Sequence, residues 1–557
     1  MATERQQGSD PYEVAATDTP HDRRGRLINI IAVTGLTLLL AGVYLGTLHT
    51  GLSTGDSAEL HYMCALLGVC HPPGYALEVL VGKLFTLLPF GPSIAWRINF
   101  MQAVCGVIGC LALYGAVRRI TGQTLPGIVA ATTLAFSTIY WMHCVIAEVY
   151  AFYGMFLLLG LYAAARFVLS DRAVWLLLAA VALGICVGAR PSEVTVLPAF
   201  VGLWLAYRRR VRLGWRRLGA AAVLFVLPFA FNVGYVFVRE NPELLHARDD
   251  ALRDELLGLT PLESELTVSG RLRAALSYSI GLEAAGREQF TKFDAERLRW
   301  DLDKYAWLLS GRGAFGDRWS EDELRADPAL ASRQMQQGFG TSVGGLGLLL
   351  ALIALVRVRR RWGMVLLGLG FFVGNLAYYL YMHPVDNLDF TIPGLVGLAI
   401  LVGVGMAAGD GGAVRGGRLA FQAACLAVPV FLLVTNMRYM DPRTPDDEQF
   451  QRICAKLKET RLPERPVILS LYRGANLFRY VYWLERERSD VHVLIVRERY
   501  GPAELGKLIN ELRRRGDDIL ISMGVARRFG LDRQLSRQTR PELRDVGLFQ
   551  VYPSRKP

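Results

Sequence analysis

The sequence has few charged residues and no cysteine pattern that is typical of a metal site. Only 20% of its 557 residues are charged, whereas 52% are hydrophobic, and this balance excludes a soluble enzyme of this length. The eight cysteines contain no CxxC pair or other metal-ligand spacing, so no structural zinc centre is expected. Cys64 and Cys70 are the two that could pair outside the membrane. No internal repeat of about 20 to 50 residues is present.

The net charge of +12 does not indicate nucleic-acid binding. Lys and Arg concentrate in short connections between long apolar runs, as in Arg208, Arg209 and Arg210. Such connections are expected to stay in the cytoplasm. The basic residues therefore predict membrane topology, and we expect membrane lipids and no nucleic acid as partners.

Apolar runs of membrane-spanning length recur from Leu27 to Met437. A helix needs about 20 such residues to cross the hydrocarbon layer. The sequence predicts a polytopic α-helical membrane protein with about eleven spans, at 27–48, 95–117, 124–141, 147–168, 173–189, 194–207, 218–238, 341–356, 363–382, 391–409 and 419–436. The alternation of basic connections predicts a cytoplasmic N-terminus and a C-terminus outside.

These spans divide the chain into three parts. Residues 1–26 are predicted to be a disordered cytosolic tail, and 27–438 a transmembrane domain with a first outer loop at 49–94 and a large outer loop at 239–340. The apolar segment 75–90 is too short for a span and predicts an interfacial or re-entrant helix. In 440–557, short apolar runs alternate with amphipathic stretches, which predicts a small extracytoplasmic α/β domain.

The first outer loop carries two carboxylates three residues apart. Asp56 and Glu59 share a face if the segment is helical. A carboxylate at the membrane boundary can take a proton from an acceptor hydroxyl, so Asp56 is the candidate base. The alternative is structural, because Gly-Asp-Ser before an apolar run is also a normal helix N-cap.

Basic residues are rare in the outer connections, and the exceptions are candidates for binding a phosphate. They are His71, Lys83, Arg97 and Arg190. Arg can bind a phosphate in bidentate fashion and Lys as a point charge. For Lys83, Arg97 and Arg190 the alternative is a side chain that extends to the lipid headgroups, and for His71 it is packing against a rigid turn.

Acidic residues near the outer boundary require partners, because an unpaired charge there is costly. We expect Glu193 to pair with Arg190, and Glu148 to bind substrate hydroxyls or an arginine. His383, Asp386 and Asp389 cluster between two spans as an acceptor or outer-loop candidate. A metal site is conceivable there, but one His and two acids in a short loop favour a solvated turn, so no metal is expected.

Several motifs resemble one known family. The strings GDSAEL at 55–60, GVCHPPGY at 68–75 and LPFGPSIAWRINF at 88–100 resemble the opening signature of GT-C superfamily membrane glycosyltransferases, of the family that includes the plexin-type protein O-mannosyltransferases. The AEVY string that contains Glu148 and Tyr150 is similar to a later element of that family. The segment from Val467 to Val496 resembles its C-terminal pattern more loosely.

This resemblance implies a fold, a site and an activity. The fold is GT-C-like, Asp56 is the catalytic base, Glu59 is the second acid of the motif, and Glu148 and Tyr150 lie by the donor sugar. The implied enzyme is an inverting hexosyltransferase that moves mannose or another hexose from a polyprenyl-phosphate carrier to an acceptor hydroxyl, a protein Ser or Thr being favoured, on the outer face of a bacterial plasma membrane. No cofactor is expected.

Three alternatives stay open at this point. The acceptor can be a lipid or a glycan in place of a protein. A transporter or flippase is a second possibility, although such proteins place charges near the membrane midplane, whereas the acids here lie at the outer edge. A non-catalytic assembly subunit is the third.

Overall fold

The apolar runs of the sequence form helices in the computed structural model. It describes residues 20–53, 56–239, 244–259, 267–280, 351, 362–382, 391–407, 415–437, 440, 445–497 and 500–551. Within these ranges, five helices are long and apolar enough to cross a membrane: Arg23–Gly46, Ile94–Thr121, Val149–Ser170, Trp215–Arg239 and Ala420–Met437. Their outward faces expose apolar side chains, such as Leu38 at 68% and Val434 at 70%. Such surfaces are stable in lipid, so the chain is an integral membrane protein.

Fifteen described α-helices precede residue 438. They are α1 (Pro20–Gly46), α2 (Ser57–Leu66), α3 (Ala76–Thr86), α4 (Ile94–Thr121), α5 (Thr124–Ala135), α6 (Thr138–Val145), α7 (Val149–Ser170), α8 (Ala173–Ala189), α9 (Leu197–Tyr207), α10 (Trp215–Arg239), α11 (Leu245–Leu257), α12 (Val268–Ser279), α13 (Trp362–Met382), α14 (Ile392–Ala407) and α15 (Arg415–Met437). A turn of 3₁₀ helix, Pro191–Val196, precedes α9.

Helices occupy ten of the eleven predicted spans. Besides the five long helices, shorter apolar helices lie at Ala173–Ala189, Glu193–Tyr207, Gly363–Asn375 and Ile392–Ala407. The predicted span at 341–356 falls outside the described residues except for Ala351. The total of eleven spans therefore stays a prediction.

The predicted span at 124–141 is a bent pair of helices and not one straight helix. Helices α5 and α6 meet there at an angle of 71°. The bend occurs because Ser137 has an extended backbone and its hydroxyl donates to the carbonyl of Leu134 at 2.7 Å. The carbonyl of Phe136, which leaves the helix, accepts a hydrogen bond from Nδ2 of Asn436 on α15 at 2.8 Å.

One end of the helix bundle gathers the chain segments that carry the candidate site. The segment after α1 meets the end of α6, where the amide of His49 donates to the carbonyl of Val145 at 3.0 Å. We call this the site end; α4 and α7 begin there and α8 ends there. At the opposite end, Arg217 pairs with Asp171 at 2.7 Å, among the arginines that the sequence assigns to the cytoplasm.

The first outer loop is a buried cap on the site end. Helix α2 is buried over most of its length, and α3 packs against α4 and α10. With 11 residues, α3 is too short to span the bilayer. Between α2 and α3, Gly74 turns the chain at φ 101°, and a Cβ there would lie 2.9 Å from Cγ2 of Val236.

The C-terminal part is a mixed sheet flanked by helices. Its elements are α16 (Pro445–Glu459), β1 (Pro466–Ser470), α17 (Tyr472–Arg479), β2 (His492–Ile495), α18 (Pro502–Arg514), β3 (Asp518–Ser522), α19 (Met523–Arg528), α20 (Asp532–Gln538), α21 (Pro541–Asp545) and β4 (Leu548–Gln550). The strand order is β2-β1-β3-β4. Strand β1 is parallel to β2 and β3, and β4 is antiparallel to β3. This agrees with the predicted alternation of strands and helices, whereas the domain boundary at 440 stays a prediction.

The sheet part is joined to the helical part by buried polar contacts. The hydroxyl of Tyr62 on α2 donates to Oδ1 of Asn476 on α17 at 3.0 Å. From α11, the Asp249 carboxylate accepts the backbone amide of Val493 at 2.5 Å and lies 2.8 Å from Nδ1 of His492. These contacts place the first turn of α17 against the first outer loop.

All eight cysteines are buried, and none of them forms a disulfide. Cys64 and Cys70 therefore do not form the disulfide that the sequence left open. Burial raises the pKa of the Cys70 thiol, and Glu59 raises it further. Cys70 thus stays protonated and behaves as a small apolar side chain.

Candidate active site

Asp56 stands at the start of α2 without capping it. The residue occupies the N-cap position, but its side chain makes no capping hydrogen bond. The carboxylate is 40% exposed, whereas most of α2 is buried. The structural alternative of a capping side chain is thus wrong, and the role of Asp56 as a base stays a prediction.

Glu59, one turn further along α2, is enclosed by hydrogen-bond donors. Oε1 accepts the backbone amide of His71 at 2.9 Å. Oε2 accepts the imidazole Nδ1–H of His71 at 2.5 Å and the hydroxyl of Tyr472 at 2.7 Å. The side chain is only 4% exposed. Glu59 therefore fixes its neighbours and has no open face towards a substrate.

His71 links the two carboxylates. Its Nδ1 faces Glu59, and its Nε2 lies 3.9 Å from Oδ2 of Asp56. Burial alone lowers the pKa of an imidazole, but the nearby Glu59 and Asp56 carboxylates outweigh it, with Glu148 adding to the effect, and raise the His71 pKa to about 10. The ring is thus an imidazolium at neutral pH, hydrogen-bonded to Glu59 and 3.9 Å from the Asp56 carboxylate.

Tyr472 brings the C-terminal part into the site. Tyr472 is the first residue of α17. Its hydroxyl, which donates to Glu59 at 2.7 Å, also lies 3.2 Å from Nδ1 of His71. Burial raises the pKa of the Tyr472 phenol, and Glu59 and Asp56 raise it further. The phenol therefore keeps its proton and acts as a donor to Glu59. The sequence offered no signal for this contact, which bridges two distant segments.

Arg190 approaches the same site from the end of α8. Its Nη1 pairs with Oε1 of Glu193 at 3.2 Å, which confirms the expected ion pair. Its guanidinium carbon lies 4.2 Å from the ring centroid of Tyr150. Arg190 is buried, so it is held by an acid on one side and an aromatic face on the other.

Tyr75 packs beside His71 in the first outer loop. Its ring centroid is 5.1 Å from that of His71. Burial raises the pKa of the Tyr75 phenol, the Arg190 guanidinium opposes this rise, and Asp56 adds to it. Both charged groups are thus close enough to act on one phenol. Tyr75 is a second site residue that the sequence reasoning missed, although it is the last residue of the GVCHPPGY motif at 68–75.

Glu148 and Tyr150 also lie at the site end, and their predicted contact with the donor sugar stays a prediction. Glu148 precedes α7 and is one of the acids that raise the pKa of His71. Tyr150 packs on His143 of α6, with ring centroids 4.3 Å apart. The bend between α5 and α6 carries His143 to this position.

Arg97 and Lys83 lie at helix ends and not beside Asp56. Arg97 donates to the carbonyl oxygens of Phe90 at 2.9 Å and Thr86 at 2.7 Å, and Lys83 donates to that of Ala65 at 2.5 Å. In the described part of the chain, neither forms a hydrogen bond or ion pair with Asp56, Glu59 or His71. Both side chains satisfy carbonyls at the C-terminal ends of α3 and α2.

The third group of candidates is the predicted outer-loop cluster. His383, Asp386 and Asp389 lie outside the described residues. Within the described ranges, no group of three His, Cys, Asp or Glu side chains is placed to hold a metal ion. The expectation of no metal and no cofactor stays a prediction.

Comparison with known proteins gives a family match at the site. Residues 56–213 match the family described as the N-terminal domain of protein O-mannosyl-transferase TMEM260. The chain is 27% identical over 491 residues to the mouse (Mus musculus) protein O-mannosyl-transferase TMEM260, which covers 82% of this chain and 61% of that protein. The Dictyostelium discoideum protein of the same name is 26% identical over 229 residues, 39% of this chain and 25% of that one.

These matches confirm the resemblance that the first-loop motifs indicate. The chain spans 61% of the mouse relative's length. Among solved structures, the apo oligosaccharyltransferase of Archaeoglobus fulgidus has a TM-score of 0.48 at 12% identity, over 88% of this chain and 69% of that one. ArnT from Cupriavidus metallidurans bound to undecaprenyl phosphate has a TM-score of 0.38 at 14% identity, over 94% and 97%.

Proposed function

We propose that this chain is an inverting glycosyltransferase that moves mannose from a polyprenyl-phosphate carrier to a Ser or Thr hydroxyl of an acceptor protein. The observation that carries the proposal is the 40% exposed Asp56 carboxylate, which caps nothing and lies 3.9 Å from Nε2 of the His71 imidazolium. The names of the relatives support mannose and a protein acceptor. A lipid or glycan acceptor would use the same donor and the same base.

The proposed reaction needs a base and a site for the leaving group. The Asp56 carboxylate takes the proton of the acceptor hydroxyl as its oxygen attacks the anomeric carbon. The bond between that carbon and the phosphate oxygen breaks, and the carrier phosphate departs with the electron pair. A phosphate is a good leaving group without protonation, so positioning and charge do most of the work.

Arg190 is the proposed partner of the departing phosphate. Its guanidinium is pre-positioned by Glu193 at 3.2 Å and by the Tyr150 ring. A buried arginine at the end of a span is suited to a lipid-borne phosphate, because desolvation strengthens a charge-assisted hydrogen bond. Tyr75, Tyr150 and Glu148 are then available to the sugar.

The His71 imidazolium and Glu59 act as positioning residues in this proposal. Glu59 orients His71 through both the amide and Nδ1. His71 in turn places its positive charge 3.9 Å from the Asp56 carboxylate, and this attraction limits the rotation of that carboxylate. Glu59 is therefore proposed to hold the base in place rather than to exchange a proton itself.

A transporter or flippase is disfavoured by the same arrangement. Such proteins hold their charged residues near the midplane of the bundle. The described acids of this site lie in the first loop and at the ends of α7 and α8. We place the site end on the outer face, since the opposite end carries the arginine-rich connections.

The test uses the full chain in nanodiscs with synthetic polyprenyl-phosphate mannose, glucose and a related hexose, with and without an acceptor protein domain. The expected result is release of carrier phosphate that depends on the acceptor, with the mannosyl donor preferred. Release on addition of a glycan but not a protein would redirect the acceptor assignment. No release from any donor would reject the transferase.

The orientation has its own test. Because the native cysteines are all buried, single cysteines introduced at Ala503 and Arg209, both exposed, can be labelled selectively in intact cells with an impermeant maleimide. Labelling at Ala503 and not at Arg209 is expected. The reverse pattern would invert the topology.

A further inference from the structure

A second candidate site lies in the sheet part, beside the start of α17, whose Tyr472 side chain reaches the Asp56 site. A cavity of about 620 Å³ opens at the carboxyl ends of β1 and β3. Its walls come from the loops after these two strands, Ser470 to Gly474 and Ser522 to Gly524, and from the turn at Arg544 to Gly547. This volume is in the range of pockets that hold small organic ligands, about 300–1,000 Å³.

The position of the cavity follows from the strand order. Strand β1 lies in the middle of the parallel part, with β2 on one side and β3 on the other. The connection from β1 leads to β2, whereas the next crossover returns to β3. The loops after β1 and β3 therefore diverge and leave a crevice. In open α/β sheets, ligands bind at such a reversal of strand order.

The crevice is positively charged. Its lining contains Arg473, Arg527 and Arg544 against a single acid, Asp545. In the described ranges, none of these three guanidinium groups has a hydrogen bond or an ion pair. Elsewhere in the same sheet part, arginines pair with acids, as Arg488 does with Asp490 at 2.6 Å. The three arginines thus form an unneutralised cluster around the cavity.

Ser470 provides a buried polar group at the base of the crevice. The residue is only 1% exposed, and its hydroxyl has no hydrogen-bond partner among the described residues. A buried hydroxyl without a partner costs about 1–3 kcal/mol. A ligand atom in the cavity that Ser470 lines would supply the missing partner. This observation is independent of the charge of the walls.

The backbone after β1 adds donors. Helix α17 begins at Tyr472, and no side chain caps its first turn, so its leading N–H groups are available and carry the positive end of the helix dipole. Gly474 permits a close approach, because a Cβ there would lie 2.5 Å from Oγ of Ser470. A glycine-opened helix N-terminus beside a strand end is suited to phosphate.

We propose that this crevice binds a small phosphate-bearing anion. Its phosphate is held by the Ser470 hydroxyl, the first amides of α17 and the guanidinium groups of Arg473 and Arg527. The apolar walls formed by Leu471, Phe478 and Met523 accept a ring or chain attached to the phosphate. The phosphate can belong to a soluble compound or to a lipid headgroup, and the experiment distinguishes the two.

The test measures the thermal shift of the full chain in phosphatidylcholine nanodiscs titrated with pyrophosphate and with ADP. Saturable stabilisation is expected that weakens with salt. Arg473→Ala, Arg527→Ala and Ser470→Ala should each weaken binding by about tenfold or more, as loss of a charge-assisted or buried hydrogen bond does. Arg528→Ala is the matched control, because Arg528 is exposed and does not line the cavity.

The outcomes separate the sources of the phosphate. Binding of pyrophosphate or ADP that the three variants lose supports a soluble ligand. If neither binds, but nanodiscs with phosphatidylglycerol stabilise the wild type more than Arg473→Ala and Arg527→Ala, the ligand is a lipid headgroup. Absence of both effects, equal binding by all variants, or unchanged affinity in Ser470→Ala would overturn the proposal. Transferase activity plays no part in this measurement, so its failure would leave the proposed reaction untouched.

Discussion

The hydroxyl of Tyr472 donates to the carboxylate of Glu59 at 2.7 Å, although 413 residues separate them in the chain. The first belongs to the sheet part and the second to the first outer loop. The same helix, α17, contacts α2 a second time through Asn476 and Tyr62 at 3.0 Å. The candidate site is therefore closed by the C-terminal part, which supplies a donor that the helical bundle alone lacks.

Tyr472→Phe should lower kcat with little change in the amount of folded protein. The substitution keeps the ring and removes one donor to a buried carboxylate, a bond worth about 1.5–3 kcal/mol. Glu59 then holds His71 less firmly, and we expect kcat to fall by about tenfold. The measurement is carrier-phosphate release at saturating donor.

Tyr482→Phe is the matched control for the tyrosine change. Its hydroxyl is buried and has no hydrogen-bond partner among the described residues. Transfer by this variant should match the wild type. If both variants lose activity alike, the effect reports general packing of the sheet part and not the bond to Glu59.

Asp56→Asn should abolish transfer while the protein stays folded. An amide cannot take the acceptor proton, and general bases contribute about 10²- to 10⁴-fold to rate. Because Asp56 caps nothing, its replacement removes no helix cap. The measurements are kcat at saturating donor and the melting temperature. Turnover at the wild-type rate would remove Asp56 from the role of base.

Asp171→Asn is the corresponding control at the opposite end of the bundle. Asp171 pairs with Arg217 at 2.7 Å, with both side chains about one-third exposed. Such pairs contribute about 0–1 kcal/mol. The variant should keep both its activity and its melting temperature within a few degrees of wild type.

Local sequence signals predicted those parts of the site that lie within one segment. Asp56 and Glu59 share a face because they are three apart in a helix, and both reach His71 in the structure. Arg190 and Glu193 have the same spacing and form the expected pair. Short spacing fixes such geometry through backbone periodicity alone.

Such local spacings do not predict contacts between distant segments. Tyr472 reaches Glu59 only because α17 docks on α2, and nothing in the residues around Tyr472 encodes that docking. Arg97 was a phosphate candidate because basic residues are rare in outer connections, but its guanidinium satisfies the carbonyls of Thr86 and Phe90. The rarity of basic residues in the outer connections indicated which side chains need partners. It did not indicate which groups those partners are.

His71→Gln should change stability in a pH-dependent way. The folded-state pKa of His71 is about 10, above its ordinary value of 6.5, so the imidazolium stabilises the fold fully below pH 6.5. That contribution is lost as pH rises towards 10. The difference in melting temperature between wild type and His71→Gln should therefore be largest near pH 6 and shrink steadily up to pH 10.

His61→Gln is the histidine control, because the pKa of His61 is shifted in the opposite direction to that of His71. Burial lowers the pKa of His61 to about 4, only partly offset by its bond to Asn99. A histidine with a depressed pKa stays neutral in the fold, so its contribution changes only as pH falls below 6.5. The difference for this variant should stay constant from pH 7 to 10. A constant difference for His71→Gln over that range would contradict the imidazolium.

Arg190→Ala should raise the KM for the lipid donor by about one to two orders of magnitude, because a charge-assisted hydrogen bond is worth about 1.5–3 kcal/mol. Arg190→Lys should recover only part of the loss, since an ammonium lacks the planar fork. Arg97→Ala is the contrasting variant, because Arg97 binds backbone carbonyls. It should lower the melting temperature without changing donor KM. Equal donor KM in Arg190→Ala and wild type would reject the phosphate role.

Asn436→Leu should destabilise the bend between α5 and α6. The amide of Asn436 donates a hydrogen bond to the Phe136 carbonyl at 2.8 Å, and Asn436 is 3% exposed. Leaving a buried carbonyl without a donor costs about 1–3 kcal/mol. Since α6 carries His143 against Tyr150, the melting temperature should fall and the KM for the donor should rise in the same variant. Thr435→Val is the control, because among the described residues the Thr435 hydroxyl bonds within its own helix, to Phe431 at 2.8 Å and to neighbouring acceptors at 3.5 Å. A wild-type melting temperature in Asn436→Leu would show that the bend is held by packing and not by this hydrogen bond.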